Sequence, residues 1–169
     1  MINKKSIFYS LLDAPIGKIG IAIAEKKIRL IKINTCTSDF IELIKHKYQV
    51  QPFPNEKYFI DAKTQLNEYF KGERLSFKLN MEIQGSEFDN SVWNIVRQIQ
   101  YGEILSYGQI AKKLLKDKAA RAVGNAVGRN PLPIIIPCHR VVGIKSIGGF
   151  SSGIDIKRKL LKIEGLKIY

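Results

Sequence analysis

The residues best suited to chemistry lie in the segment PLPIIIPCHRVV, residues 131–142, where Cys138 is followed directly by His139. A cysteine reacts as its thiolate, and a thiol of ordinary pKa supplies little thiolate at neutral pH. An adjacent imidazole can remove the proton, directly or through one water molecule, if a carboxylate orients the ring. Cys138 and His139 are therefore a candidate nucleophile and base. Because neighbouring side chains often point apart, the pair also fits a structural cysteine beside an unrelated histidine.

The orienting carboxylate must come from another part of the chain. After the turn GGFSSG, the pattern predicts a helix from about residue 155 to Glu164, followed by Gly165 as its stop. An acidic side chain at a helix C-terminus is unfavourable in the field of the helix dipole, which hints at another role. Glu164 is thus the candidate partner of His139, and the alternative is a solvated surface acid.

Two short helices are predicted just before the cysteine segment. The first opens with a capping box of S-x-x-Q form, Ser106 to Gln109. The second, AARAVGNAVGRN, has Asp117 as its predicted N-cap and stops before Pro131, since the residue before a proline avoids the helical region. The pair is a helix-turn-helix candidate.

The second of these helices has two different sides. One side can face a core, and it comprises Ala120, Val123 and Val127. The other side carries small or polar residues at helical spacing, namely Arg121, Gly124, Asn125 and Gly128. Each glycine inside a helix costs about 1 kcal/mol relative to alanine. A backbone pressed into a nucleic-acid groove would offset this cost, and so would tight packing against a neighbouring helix.

The charge of the chain favours a partner with dense negative charge. Lysine and arginine total 28 against 15 aspartate and glutamate, for a net charge of +13. Residues 112–140 alone hold seven of these basic residues against one acid, Asp117. Nucleic acid is the first candidate for such a partner, although a lysine-rich chain can also be simply soluble.

The N-terminal half predicts a small antiparallel sheet with helices. Short β-branched runs divided by turn residues occupy residues 6–33. Helical patterns follow over 38–48 and over 56–71, where Gly72 is a stop signal, and residues 73–83 predict one more strand. No constellation that suggests chemistry lies in this half.

The second half changes character near Gly85. Ser86 and Asp89 form a capping pattern that opens a helix with one apolar face, which Gly102 is expected to end. The predicted fold class is α+β in two parts, a small N-terminal antiparallel sheet with helices and a mostly helical C-terminal part with a helix-turn-helix. We place an N-terminal α/β domain at residues 1–84, and a DNA-binding and active-site domain at 85–169.

Cysteine and histidine are scarce. The cysteines are Cys36 and Cys138 and the histidines are His46 and His139, too few for a disulfide framework or a structural zinc site. The sequence has no apolar run typical of a signal peptide or a membrane span. We therefore expect a soluble, cytoplasmic protein that binds neither metal nor membrane.

Five strings together resemble one family. In chain order they are YGEILSYGQIA, RAVGNAVGRNP, IPCHRVV, GGFSSG and KRKLLKIEG. Over residues 86–166, in order and spacing, they closely resemble the O6-alkylguanine-DNA alkyltransferases. The resemblance implies that Cys138 accepts an alkyl group from O6 of guanine in double-stranded DNA, restoring the guanine. It implies one reaction per protein molecule. We expect no cofactor, since the N-terminal half lacks a set of zinc ligands, and a monomer is the default for the oligomeric state.

The same resemblance implies a role for each matching residue. His139 would act as a water-mediated base, and Glu164 would hold and polarise it. Tyr107 would stabilise or protonate the departing guanine. Asn130 would brace the turn before the cysteine segment.

The resemblance also implies a surface for the minor groove and a pocket for the base. Arg121 would enter the base stack and replace a flipped nucleotide. The rest of the DNA surface would be Ala120, Gly124, Asn125, Gly128, Arg129 and Tyr107. The loop from Gly148 to Gly153 would wall the base pocket, whose residues would be Val141, Gly149, Phe150 and Ser151. Many members carry tyrosine where this chain has Phe150, which keeps an apolar wall but lacks a hydroxyl.

Two other classes of protein remain as alternatives. A DNA-binding regulator would use the same helix pair and charge, but it leaves Cys138, His139 and Glu164 without a purpose. A cysteine hydrolase or acyltransferase would turn over small esters or amides, and it would not need Arg121 or the basic stretch.

Overall fold

The computed structural model describes residues 6–166, and the chain divides into two compact units between Glu82 and Ile83. The predicted boundary lay two residues later, between residues 84 and 85. The predicted α+β class is confirmed, because the first unit holds a small sheet with helices and the second is mostly helical. Within residues 6–166, every helix is too short or too polar to cross a membrane.

The first three strands form two consecutive antiparallel hairpins, as predicted for residues 6–33. They are β1 (Ile7–Ala14), β2 (Gly17–Ala24) and β3 (Lys27–Ile33). Glu25 and Lys26 alone join β2 to β3, and both have positive φ, 51° and 60°. A two-residue hairpin needs this left-handed backbone to match the twist of its strands.

The strand predicted over residues 73–83 is wrong. The fourth strand is instead β4 (Phe53–Pro54), which pairs parallel with β1 and gives the sheet order β3-β2-β1-β4. Within 73–83 one isolated bridge reaches β3. The Gln65 side chain forms hydrogen bonds with both backbone groups of Lys78. It accepts from the N–H at 2.9 Å and donates to the carbonyl at 3.0 Å. Backbone groups bonded to a side chain in this way are not available for a ladder.

Two helices accompany this sheet. They are α1 (Thr37–Tyr48) and α2 (Ile60–Phe70), the latter preceded by a 3₁₀ turn, and both agree with the predicted ranges. Phe40 of α1 packs on the sheet over Gly20, where a Cβ atom would lie only 2.6 Å from the ring. The glycine therefore permits the close approach of helix and sheet. One hydrophobic cluster in the core of this unit comprises Ile7, Ala22, Ala24, Leu30, Phe40 and Ile44.

The second unit begins with α3 (Glu87–Val96), whose N-cap is Ser86, as predicted. The helix does not continue to Gly102, so that prediction of its end is wrong. The chain leaves the helix in a tight turn, and the Ile99 carbonyl accepts a 2.6 Å hydrogen bond from the buried Arg140 guanidinium. The α-helical pattern ends where the bonds tighten to i→i+3, from Gln98 N–H to the Ile95 carbonyl at 3.0 Å and from Ile99 N–H to the Val96 carbonyl at 3.1 Å.

The predicted helix pair is α4 (Tyr107–Lys113) and α5 (Ala120–Gly128). The capping box of α4 is complete, since Gln109 N–H donates to Ser106 Oγ at 3.1 Å and Ser106 N–H donates to Gln109 Oε1 at 2.7 Å. The helix α5 packs against α3 and α4, and the Trp93 indole donates to the Ala126 carbonyl at 2.8 Å.

Asp117 is not the N-cap of α5, contrary to the prediction. The cap position is Ala119, which has no side-chain cap. The connection leaves α4 through Leu115 with a positive φ of 57°, and Ala119 N–H then bonds to the Lys116 carbonyl at 2.8 Å. This backbone turn places the cap position at Ala119 and the first residue of α5 at Ala120, three residues after Asp117.

A two-stranded parallel ladder joins the helix pair to the cysteine segment. The strands are β5 (Leu105–Ser106) and β6 (Val141–Val142). Because β5 leads directly into α4, the ladder places the first turn of that helix beside the residues that follow Cys138. The last helix, α6 (Ile154–Ile163), ends at Glu164.

We predict that Ser106→Ala lowers the free energy of unfolding of the second unit by about 1 kcal/mol, because the α4 N-terminus loses its cap. Urea unfolding followed by fluorescence of Trp93, the single tryptophan, measures this change. Ser91→Ala is the matched control, since the Ser91 hydroxyl bonds only to a carbonyl inside α3, where alanine is the better helix former. Equal stability of the two variants would show that the capping box does not stabilise α4.

Candidate active site

A strained turn delivers Cys138 to the interior. Every residue from 131 to 140 is buried, and Cys138 is 3% exposed. Ile134 has a positive φ of 76°, which costs a β-branched residue about 1–3 kcal/mol. Pro137, with φ −77° and ψ 63°, forms an inverse γ-turn closed by a 2.7 Å hydrogen bond from Cys138 N–H to the Ile136 carbonyl. The surroundings must hold this backbone in place.

Asn130 supplies part of that support. Its Nδ2 donates to the Ile136 carbonyl at 2.9 Å, and its Oδ1 accepts from Leu132 N–H at 3.0 Å. A hydrogen bond also joins its side chain to the Cys138 thiol. One amide thus ties both ends of the turn to the sulfur.

The carboxylate of Glu164 forms hydrogen bonds with three residues in the interior, where Glu164 is 4% exposed. Its Oε1 lies 2.7 Å from His139 Nε2 and 3.0 Å from Arg140 Nη2. Its Oε2 accepts from Arg140 Nε at 2.8 Å and from Gly102 N–H at 3.3 Å. Sequence reasoning proposed the histidine contact but missed Arg140 and Gly102.

These contacts set the charges of the pair. Burial raises the pKa of Glu164, but the hydrogen bonds from His139 and Arg140 outweigh it and hold the pKa at about 2. Burial, together with the charges of Arg140 and Lys157, lowers the pKa of His139 despite the opposing effect of Glu164, so the ring is neutral at neutral pH. An ionised carboxylate can only accept, so it fixes the proton of the ring on Nε2 and the lone pair on Nδ1. The histidine is therefore in the state that can accept a proton.

The Cys138 thiol is protonated at rest. Burial raises its pKa to about 11, and the Asn130 hydrogen bond and the charge of Lys157 offset this only in part. A nucleophilic sulfur therefore requires removal of the proton during the reaction, which is the step a neutral imidazole can perform.

Lys157 is a site residue that sequence reasoning missed. Its side chain is fully buried, and its Nζ donates to the Val141 carbonyl at 2.5 Å and to the Gly149 carbonyl at 3.1 Å. Burial lowers its pKa to about 8. A signal was present in the spacing, because Lys157 shares one side of α6 with Leu160, Leu161 and Glu164.

Tyr107 lies against the glycine-rich loop, residues 148–153. A hydrogen bond joins the Gly149 backbone to the Tyr107 hydroxyl, and burial raises the pKa of Tyr107, which therefore keeps its proton at neutral pH. Gly148 has a positive φ of 72°, and a Cβ atom there would lie 2.7 Å from the Tyr107 hydroxyl. Only glycine allows this approach. Phe150 is half-buried in the same loop, and Ser151 is exposed.

The outer face of α5 is open to solvent. Arg121, Asn125 and Gly128 are exposed, whereas Ala120 and Gly124 are half-buried. A Cβ atom at Gly124 would make an ordinary 3.7 Å contact with the Tyr107 ring, and one at Gly128 would meet nothing within 4 Å. Tight packing against a neighbouring helix therefore does not explain these glycines.

Arg129 is engaged within the protein. Its guanidinium donates to both carboxylate oxygens of Asp89, at 2.6 Å and 3.2 Å. This pair ties the end of α5 to α3, a contact that sequence reasoning did not anticipate for a residue expected at the DNA surface.

A buried thiol, followed by a neutral imidazole that an ionised carboxylate holds, is a site for a cysteine nucleophile. It lies in the same unit as a helix with an exposed arginine and small residues on its outer face. These features define a class of protein that has a nucleophilic cysteine and, in the same unit, a surface suited to binding nucleic acid.

Comparison with known proteins narrows this class to one family. Residues 87–166 match the DNA-binding domain of 6-O-methylguanine DNA methyltransferase, and residues 7–83 match its ribonuclease-like domain. A methylated-DNA–protein-cysteine methyltransferase of Methanosarcina acetivorans is 40% identical, over 94% of this chain and 99% of the relative. The chain belongs to the 6-O-methylguanine DNA methyltransferase family.

Solved structures agree with this assignment. The Mycobacterium tuberculosis O6-methylguanine methyltransferase has a TM-score of 0.81 at 36% identity, covering 94% of this chain and 92% of that one. The M. tuberculosis protein in complex with DNA has a TM-score of 0.82 at 37% identity, covering 93% and 92%.

We predict that Glu164→Gln lowers the free energy of unfolding by about 3 kcal/mol, because it leaves the buried Arg140 guanidinium without its counter-charge. Asp155→Asn on the same helix is the matched control, since the Asp155 carboxylate pairs with Arg158 but is 92% exposed. Urea unfolding of both variants at neutral pH measures the difference. Similar losses in both would contradict a buried, ionised Glu164.

The pH dependence of this effect has a definite sign. The pKa of Glu164 is about 2 in the folded protein, below about 4.3 for an unfolded chain. Its contribution to stability is therefore fully present above about pH 4.3 and is lost as the pH falls toward 2. The gap in stability between wild type and Glu164→Gln should narrow over that range.

Proposed function

We propose that this protein repairs DNA by moving an alkyl group from O6 of guanine to the sulfur of Cys138. The observation that carries this proposal is the buried series of Cys138, neutral His139 and ionised Glu164. Membership of the methyltransferase family agrees with it. A DNA-binding protein without chemistry would have no need to bury an ionised carboxylate next to a histidine and a thiol.

The chemistry needs one proton transfer and one displacement. His139 removes the thiol proton through Nδ1, directly or through one water molecule, while Glu164 stabilises the imidazolium that forms. The sulfur then attacks the alkyl carbon in line, so that an S–C bond forms as the bond from that carbon to O6 breaks. The guanine leaves with the electron pair and takes a proton from the Tyr107 hydroxyl. The thioether product is stable, which makes the protein a single-use reagent.

The substrate base must leave the duplex to reach the sulfur. O6 inside a stacked duplex is closed to a buried thiol, so we infer that the nucleotide is flipped into the pocket. The pair α4 and α5 would act as a helix-turn-helix, with the small outer face of α5 in the minor groove. Arg121, exposed in the first turn of α5, would fill the space that the flipped base leaves. A monomer suffices, because every residue in this scheme belongs to one chain.

The decisive test of the proposed function is mass spectrometry after mixing the protein with a duplex that contains one O6-methylguanine. We expect a gain of one methyl group per protein, located on Cys138 and ending at one equivalent. The exposed Cys36 is an internal control for unspecific methylation and should stay unmodified. Cys138→Ala should bind the duplex and gain nothing. If the wild type binds the duplex without any gain in mass, the proposed alkyl transfer is wrong and the protein only binds DNA.

We predict that Arg121→Ala slows repair of the duplex by at least about tenfold, a loss of roughly 1.4 kcal/mol of transition-state stabilisation. Its reaction with free O6-benzylguanine should stay near the wild-type rate, because a free base needs no flipping. Single-turnover rates on both substrates measure this contrast, with Arg97→Ala at another exposed arginine as the control. Equal slowing on both substrates would rule out the flipping role of Arg121.

A further inference from the structure

Among the described residues, the buried side chain of Lys157 carries its charge in the interior without a carboxylate within ion-pair distance. Its ammonium donates instead to two backbone carbonyls, those of Val141 and Gly149. A buried charge is costly, and carbonyl dipoles compensate it less well than a carboxylate would. A methionine or leucine at this point of α6 would pack among its apolar neighbours at lower cost. This cost suggests that the lysine has a role other than packing, which we look for in the reaction.

The two carbonyls belong to different walls of the proposed base pocket. Val141 lies in β6, directly after the cysteine turn, and pairs with β5. Gly149 lies in the glycine-rich loop, and its backbone bonds to the Tyr107 hydroxyl as well as to Lys157. One ammonium thus links the cysteine strand, the loop and, through the backbone of Gly149, the tyrosine that would protonate the leaving guanine.

The charge of Lys157 also acts on the reacting groups. It lowers the pKa of the Cys138 thiol and, less strongly than burial does, that of His139. Thiolate is therefore favoured, and the histidine stays neutral and able to accept the proton. The two carbonyl contacts hold the ammonium in the interior, where its charge acts on the Cys138 thiol.

We propose that Lys157 is a positioning residue for alkyl transfer, joining the Val141 and Gly149 walls of the base pocket and holding a positive charge toward Cys138. The inference rests on the proposed function. Lys157 does not touch the alkyl group in this scheme. It acts through the loop that encloses the base and through the sulfur that attacks.

The test compares Lys157→Met, which keeps the length and removes the charge, with Lys157→Arg, which keeps charge and donors. Lys159→Met is the matched control, because Lys159 is exposed on the same helix. Lys157→Gln serves as a second neutral variant if the methionine variant does not fold. For each we measure the affinity for an O6-methylguanine duplex, the methyl-transfer rate at saturating duplex, and the pH midpoint of that rate.

We expect the neutral variants to bind the duplex within about twofold of wild type and to transfer methyl at least about tenfold more slowly. Their pH midpoint should rise by about one unit, because the thiolate loses a nearby positive charge. Lys157→Arg should recover the midpoint and part of the rate. A purely structural lysine would change thermal stability but leave the pH midpoint in place.

Two failures are distinguishable. Neutral variants that match wild type and Lys159→Met in rate and in pH midpoint would overturn the role of Lys157 and leave the proposed function intact. A slower neutral variant with an unchanged midpoint, not rescued by arginine, would also overturn it. Wild-type protein that binds the duplex but gains no methyl group would instead overturn the proposed function.

Discussion

An ionised carboxylate in a protein interior must be compensated by several hydrogen-bond donors, and Glu164 obtains three donor residues from two separate segments. His139 and Arg140 approach from the cysteine turn, and Gly102 approaches from the connection after α3. Together they hold the carboxylate ionised, and the carboxylate in turn fixes the tautomer of His139. The end of α6, the cysteine turn and the end of α3 are thus joined at one group. Loss of that charge would disturb the fold and the base at once.

The same burial explains how a reactive cysteine stays inert until it is needed. A thiol of pKa about 11 is almost entirely protonated in the cell, whereas an exposed thiolate would be oxidised or alkylated at random. The tight turn through Ile134 and Pro137, which Asn130 braces, keeps the sulfur in this environment. A single-use protein gains from this arrangement, because each accidental modification would destroy one molecule.

Local signals predicted much of the framework. The hairpins of the first unit, the caps at Ser86 and Ser106 and the helix that ends at Glu164 follow from short-range patterns, and the structure has them. The errors arose where a contact distant in sequence decides the outcome. Gln65 bonds to the backbone of the expected strand at Lys78, and the turn that follows α3 bonds through its Ile99 carbonyl to Arg140. The partners are 13 residues apart in the first contact and 41 in the second, and hydrophobic periodicity does not report either hydrogen bond.

Residue types and spacing made Cys138, His139 and Glu164 candidates for chemistry, and the resemblance to one family favoured that interpretation over a structural cysteine. How the charges of these residues are set became visible only in the fold. It placed Arg140 on Glu164, engaged Arg129 with Asp89 at the end of α5, and buried Lys157 between two carbonyls. The physical reason is that ionisation depends on burial and on neighbours in space, and most of these neighbours are far apart in sequence.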